Sequence, residues 1–212
     1  MIKKNFTVQF GKTIRVFLVE VHQMKKVLFI FLLIVLAIIF YISSGSNVTN
    51  NLDSYVYDLP FKEGTKHKVV QGYGGRFSHT NKAALDFDMP EGTPVYAARE
   101  GVIYSYKDAG NKGGPFTNER KANYIIIKHS DGSFGCYWHL KQNGVVVKKG
   151  FVSKGQLIGY SGRTGLVLWP HLHFAVKCRL NYEKDSFVRT KFNTRQGIVL
   201  LKAGESYERP FQ

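Results

Sequence analysis

Four histidines and one carboxylate in this chain have spacings that let them converge on a single point. His171-Leu-His173 lies in a run of alternating apolar residues, and in a strand positions i and i+2 face the same side. Two imidazoles on one face can place one ring on a metal and the other beside it. His79 and Asp86 add a further histidine and a carboxylate, and Tyr137-Trp-His139-Leu carries another imidazole on a predicted strand. Catalytic zinc takes three protein ligands drawn from His and Asp/Glu and keeps a fourth position open for water. A His-Asp-His set meets that requirement. Asp88 lies on the same strand face as Asp86 and competes with it. His67, at the start of the predicted domain, and His129, beside a turn, read as surface or structural residues. The cysteines Cys136 and Cys178 form no CxxC pair, so a cysteine zinc site is excluded. They read either as small apolar strand residues or as a disulfide in an oxidising compartment.

These side chains need a rigid support, and the sequence predicts a mainly antiparallel β fold. Glycine is frequent at 21 residues and aromatics reach 14%. That balance favours short strands and many turns over a helical bundle. Strand patterns cover residues 94–98, 101–106, 123–129, 133–140, 144–148, 156–160 and 171–176. Asp131-Gly132 marks a hairpin turn. Nothing after residue 45 has a long helical period. Residues 108–121 form a long polar loop, a length at which loops often line a binding site.

The N-terminal part has a different composition. Residues 27–42 are 16 apolar residues without a charge. With Ser43 to Gly45 they approach the ~20 residues of a transmembrane helix. Lys25 and Lys26 precede the run and place the N-terminus on the cytoplasmic side. The segment reads either as a membrane anchor or as a signal peptide starting at Met24 and cut after Gly45. Both readings export everything that follows. The expected organisation is a basic segment (1–26), an apolar segment (27–45), a linker rich in Ser, Asn and Asp (46–66) and a catalytic domain (67–212). The net charge is +15. Lys3, Lys4, Lys12, Arg15, Lys25 and Lys26 against Glu20 leave residues 1–26 at +5, and the rest lies on the exported part. No nucleic-acid-binding signature accompanies that charge, and export argues against such a partner. An anionic wall polymer fits it.

Several runs together resemble the lysostaphin and LytM type of zinc endopeptidase. They are His79 with Asp86-Phe-Asp-Met-Pro-Glu-Gly-Thr-Pro-Val-Tyr-Ala-Ala-Arg-Glu-Gly-Val, Tyr137-Trp-His-Leu, Lys154-Gly-Gln-Leu-Ile-Gly-Tyr-Ser-Gly-Arg-Thr-Gly, and Pro170-His-Leu-His-Phe. The likeness covers residues 67–178, with a weaker tail to 210. It implies an antiparallel β domain of the duplicated-hybrid-motif type with an active-site groove. It also implies one zinc ion on His79, Asp86 and His173, with His139 and His171 as catalytic histidines and Tyr73 as an oxyanion stabiliser. Asp86 is preferred to Asp88 because it keeps the family's register before Met-Pro. Six residues separate His79 from Asp86, where many members have three. Arg163 and Trp169 stand where smaller residues are common and are expected to shape substrate choice. The implied activity is hydrolysis of peptide bonds in peptidoglycan stems or cross-links. There zinc would polarise the carbonyl and bring a bound water's pKa to about 7. The alternative is an inactive wall-binding or amidase-activating domain of the same type. All five ligand and catalytic positions are filled, which favours activity.

Overall fold

The computed structural model describes residues 22–37, 52–180 and 186–211. The chain divides into two units, Met1–Gly45 and Ser46–Gln212. In the first, residues 22–37 form a helix whose apolar side chains, Leu28 to Phe31 among them, are exposed. Among the described residues no helix is long and apolar enough to cross a membrane. The transmembrane span expected over 27–45 is therefore not found, and its last part, 38–45, lies outside the described residues. So do residues 1–21 of the basic segment.

The second unit is built of short strands. They are β1 (Leu52–Asp58), β2 (Lys66–Gln71), β3 (Ala84–Asp88), β4 (Pro94–Tyr96), β5 (Gly101–Lys107), β6 (Gly113–Gly114), β7 (Asn123–Lys128), β8 (Phe134–Val145), β9 (Phe151–Val152), β10 (Leu157–Ser161), β11 (Gly165–Leu166), β12 (His171–Lys177), β13 (Phe187–Thr194), β14 (Gly197–Val199) and β15 (Ser206–Glu208). The main sheet runs β15-β2-β3-β12-β8-β7-β5-β9, with β10 joined to β4 and β8, and β13 joined to β1, β12 and β14. Pairing is antiparallel except between β1 and β13 and between β6 and β11. The fold is thus mainly antiparallel β, as expected.

The predicted hairpin is present. Lys128 pairs with Phe134 across the turn. Asp131 Oδ1 accepts from the Ser133 N–H at 2.9 Å and from its hydroxyl at 2.7 Å, and Gly132 takes a φ of 85°. The pattern expected over 133–140 lies in β8, and of the separate strand expected over 144–148 only Gly144 and Val145 are strand, as the end of the same β8; residues 146–148 are not in a strand. Asn143, with a φ of 53°, donates its N–H to Asp108 O at 2.7 Å near the end of that strand. The expected linker 46–66 is corrected. Within it β1 pairs with β13, and Tyr57, Leu59 and Phe61 are fully buried in the core. Ser and Asp dilute the alternation here, and the strand's partner lies more than 130 residues away. Cys136 is buried, Cys178 is exposed, and no disulfide joins them.

Candidate metal centre

β12 lies between β3 and β8, and the site grows from that arrangement. Leu172, Phe174 and Val176 point into the core, so His171 and His173 share the opposite face. His173 is directly opposite Asp86 on one side and Trp138 on the other. Residues opposite each other in an antiparallel pair have Cβ atoms only ~4.5–5.5 Å apart. On β3, Leu85 and Phe87 enter the core and Asp86 turns outward to meet His173. His79 comes from the turn before β3. The six residues between it and Asp86 are accommodated by a tight reversal, in which the Lys82 N–H donates to His79 O at 2.7 Å and Asn81 adopts a φ of 63°.

Three donor atoms meet there. His173 Nδ1 is 2.8 Å from Asp86 Oδ1, and His79 Nε2 is 3.1 Å from His173 Nδ1 and 3.2 Å from Asp86 Oδ1. Ligands of a tetrahedral zinc ion at ~2.0–2.1 Å stand about 3.3 Å from one another. The cluster is therefore close to the size a zinc ion requires. The surrounding bonds orient the donors as metal ligands need. His79 Nδ1–H donates to Gly72 O at 3.1 Å, leaving the Nε2 lone pair facing the cluster. Gln71 Nε2 donates to Asp86 Oδ2 at 3.1 Å, leaving Oδ1 for the metal. Burial would raise the Asp86 carboxyl, but the facing His173 and His79 rings outweigh it and hold it far below the usual carboxylate range. Burial lowers His173, against the opposing pull of Asp86. An ionised carboxylate and a neutral imidazole are the forms that bind metal.

His139 and His171 flank the cluster. Their ring centroids are 4.6 Å apart, and His171 Nε2 is 3.7 Å from Asp86 Oδ1. His139 Nδ1–H donates to Thr164 O at 2.7 Å and His171 Nδ1–H to Trp169 O at 2.9 Å. Both rings thereby expose an Nε2 lone pair, able to take a proton. Burial, then the neighbouring His171 and His173, push His139 down to about 3, so it is neutral at any ordinary working pH. Its position depends on a bulge. Leu140 pairs with Asn123 and Trp138 with Tyr124, leaving His139 as the extra residue, with a φ of 64°. Strict alternation would send His139 into the core behind Tyr137. With the bulge, Trp138 and His139 both face the site and Leu140 returns to the core.

The other expected residues divide. Asp88 is exposed and outside the three-donor group. The Tyr73 hydroxyl donates to Thr190 O at 2.9 Å and accepts from the Thr190 N–H at 3.3 Å. Desolvation pushes its phenol up, and it does not line the cavity at the cluster. The Tyr73 hydroxyl, expected to stabilise an oxyanion, is engaged here by the β13 backbone as donor and acceptor. Trp169 lines that cavity of about 380 Å³, together with Trp138, Phe77 and Leu166; Arg163 does not line it. Gln71 and Thr164 were not anticipated. Thr164 orients His139 through its backbone carbonyl, which any residue type supplies, so that contact leaves no signal in the sequence.

A model of the family described as peptidase family M23 matches residues 80–185. The peptidoglycan DD-endopeptidase ShyA of Vibrio cholerae is 33% identical over 147 residues, covering 66% of this chain and 30% of ShyA. The DD-carboxypeptidase/endopeptidase Mpg of Neisseria meningitidis is 37% identical over 93 residues, 44% of this chain and 19% of Mpg. The chain thus matches less than a third of the length of these curated relatives. Among solved structures, the catalytic domain of the antimicrobial peptidase lysostaphin from Staphylococcus simulans is 28% identical with a TM-score of 0.41, covering 68% of this chain and 92% of that one. The family model spans half of the 212 residues, including Asp86, His139, His171 and His173, and the chain belongs to peptidase family M23.

Proposed function

We propose that the chain is a zinc-dependent endopeptidase that hydrolyses peptide bonds in the stems or cross-links of peptidoglycan. The observation that carries this reading is the meeting of His79 Nε2, Asp86 Oδ1 and His173 Nδ1 within 3.2 Å beside two histidines held with Nε2 open. His79, Asp86 and His173 would hold the zinc. Bound there, zinc supplies Lewis acidity at the scissile carbonyl and a water acidic enough to attack near neutral pH.

The chain's own residues supply the proton transfers. His139 and His171 each present an open Nε2 and are fixed by a backbone carbonyl at Nδ1. One takes the proton of the attacking water and hands it to the leaving amine. Trp138 and Trp169 line the cavity and form apolar walls of a substrate groove. The relatives named as peptidoglycan DD-endopeptidases support a wall peptide as substrate. They also support action outside the cytoplasm, with the apolar run 27–42 as export signal or anchor.

The test is to purify the chain, measure bound zinc and analyse the fragments it releases from several purified walls. The parent is expected to hold about one zinc and to release peptide fragments. His173→Ala is expected to lose both metal and cleavage. A chain that binds zinc yet cuts no wall type would overturn the enzymatic reading in favour of a wall-binding or amidase-activating domain.

A further inference from the structure

β2 meets β3 through a bulge of its own. Val69 is opposite Phe87 and Gln71 is opposite Asp86, so two residues of β2 advance against one of β3. Val69 and Phe87 lie in the core, and strict alternation would send Gln71 in after Val69. The extra residue turns the strand, and Val70 and Gln71 both line the cavity at the metal cluster.

The Gln71 amide then engages the neighbourhood of two metal donors at once. Its Nε2 donates to Asp86 Oδ2 at 3.1 Å and to Ser78 Oγ at 2.7 Å, and its Oε1 accepts from the Ser78 N–H at 3.3 Å. The bond at Oε1 fixes which way the amide faces and presents an N–H to the carboxylate, which can only accept. Ser78 directly precedes His79. Gly72, the next residue after Gln71, accepts from His79 Nδ1–H through its carbonyl at 3.1 Å. Two consecutive residues at the end of β2 therefore hold Asp86 and the turn that carries His79. The covalent path between those ligands is six residues long, and Gln71 spans it directly.

Gly75 leaves room for this arrangement. A Cβ there would run into Gln71 Cγ and come within 3.0 Å of Gly72 O. Gly75 is not at positive φ, so the packing around Gln71, and not the backbone, excludes a side chain.

We propose that Gln71 is a positioning residue that ties Asp86 to His79 across the cluster and thereby sets the affinity of the site for zinc. Partners that orient metal ligands in this way govern affinity without touching the metal. The proposal rests on the zinc reading given above and on no particular substrate.

The experiment measures the zinc dissociation constant of the full chain by competition with a chromogenic chelator, under conditions where circular dichroism shows the metal-free protein folded. Gln71→Met keeps the side-chain length and removes the amide. It is expected to raise the dissociation constant about 10–100-fold. Gly75→Ala, the second variant, keeps every hydrogen-bonding group but displaces Gln71, and is expected to shift the constant in the same direction. Cobalt(II) bound in place of zinc at saturation reports the donor arrangement through its visible absorption, and the band is expected to change in intensity in both variants. With zinc saturating, KM for a wall fragment is expected to stay within about twofold of the parent's. Dissociation constants within about twofold of the parent's in both variants overturn the proposal. A raised KM at an unchanged dissociation constant also overturns it and makes Gln71 a substrate contact. A raised dissociation constant with an unchanged cobalt band overturns it too, tracing the loss to the fold and not to the donors. A parent that takes up no zinc overturns the metal reading, and the role of Gln71 with it.

Discussion

At a φ of 64°, His139 occupies the left-handed region, which few residues other than glycine adopt and which Asn and His tolerate best. Side chains held in this region often cluster at functional sites, where surrounding structure sustains the strain. Here the sustaining contacts are visible. Thr164 O fixes the ring, and Thr164 Oγ1 donates to Leu140 O at 2.8 Å and accepts from the Asn123 N–H at 2.9 Å. The bulge is thus pinned on both sides. Two substitutions separate chemistry from backbone. His139→Asn suits the same φ and leaves all three metal donors in place. It is expected to keep its zinc and its unfolding midpoint close to the parent's, while losing about 10²–10⁴-fold in kcat. His139→Val is expected to lose the same activity and, being β-branched at positive φ, about 1–3 kcal/mol of stability as well. Zinc content, kcat and denaturant unfolding of the two variants measure this. Retention of more than a tenth of the activity in His139→Asn would remove His139 from the proton transfer.

The loop 108–121 is the element that holds this arrangement from outside. Its β6 residues pair with β11 in a two-stranded parallel ribbon, and Gly165 donates its N–H to Lys112 O at 2.8 Å. Asn123 ties the loop to β8, its side chain bonding both Gly110 N–H and Gly110 O at 2.8 Å and reaching Leu140 O at 3.3 Å. At Gly113 an added Cβ would run into the Arg163 carbonyl, one residue before the carbonyl that orients His139. Gly113→Ala is expected to push the ribbon apart, move Thr164 and lower kcat about 10–100-fold, since small misplacements of a catalytic group are costly. Zinc content should be unchanged, and a simultaneous loss of zinc would show that the ribbon supports the whole site. The loop's length made it a candidate in the sequence, but its contact with 163–166 has no sequence period to betray it. The same limit applies elsewhere. His171-Leu-His173 was legible because strand alternation is local, whereas alternation left Asp86 and Asp88 as rivals and only the family resemblance, through the register before Met-Pro, favoured Asp86. β1 was missed, being a strand whose Val56 pairs with Lys191 and whose composition reads as a linker. The bulge at His139 was missed as well, because it arises from a register shift between two strands.

Across the second unit, several buried histidines are held below their ordinary value, and this sets how the fold responds to acid. His129, far from the metal cluster in sequence, is a clear case. It packs against Tyr57 with centroids 5.8 Å apart, and its Nδ1–H donates to Glu100 O at 2.7 Å. Among the described residues, its buried Nε2 has no hydrogen-bond partner. Burial lowers its pKa, and the Arg99 charge adds to this against the pull of the Glu100 carbonyl. The folded protein therefore takes up this proton less readily than the unfolded chain, whose histidine titrates near 6.5. As pH falls below about 6.5, the unfolded state binds the extra proton and stability is lost, until the lower folded-state value is reached. Asp131, the neighbouring carboxylate, works in a separate window. Burial opposes its ionisation, but the Ser133 and Arg99 hydrogen bonds outweigh that and hold it at about 2. Its contribution is lost only below the ordinary carboxylate value of 3.8. Between pH 7 and 4.5 the histidines alone should set the slope. Unfolding measured in chelator, so that metal release does not enter, is expected to show stability falling as pH drops through this range. In His129→Gln the slope should be shallower by up to about 1.4 kcal/mol per pH unit. Comparing slopes rather than midpoints removes any fixed cost of the substitution. Parallel slopes in parent and variant would mean that His129 gains its proton in the folded state as readily as in the unfolded one, and the acid sensitivity would then fall to His67, His139 and His173, which are lowered by burial in the same direction.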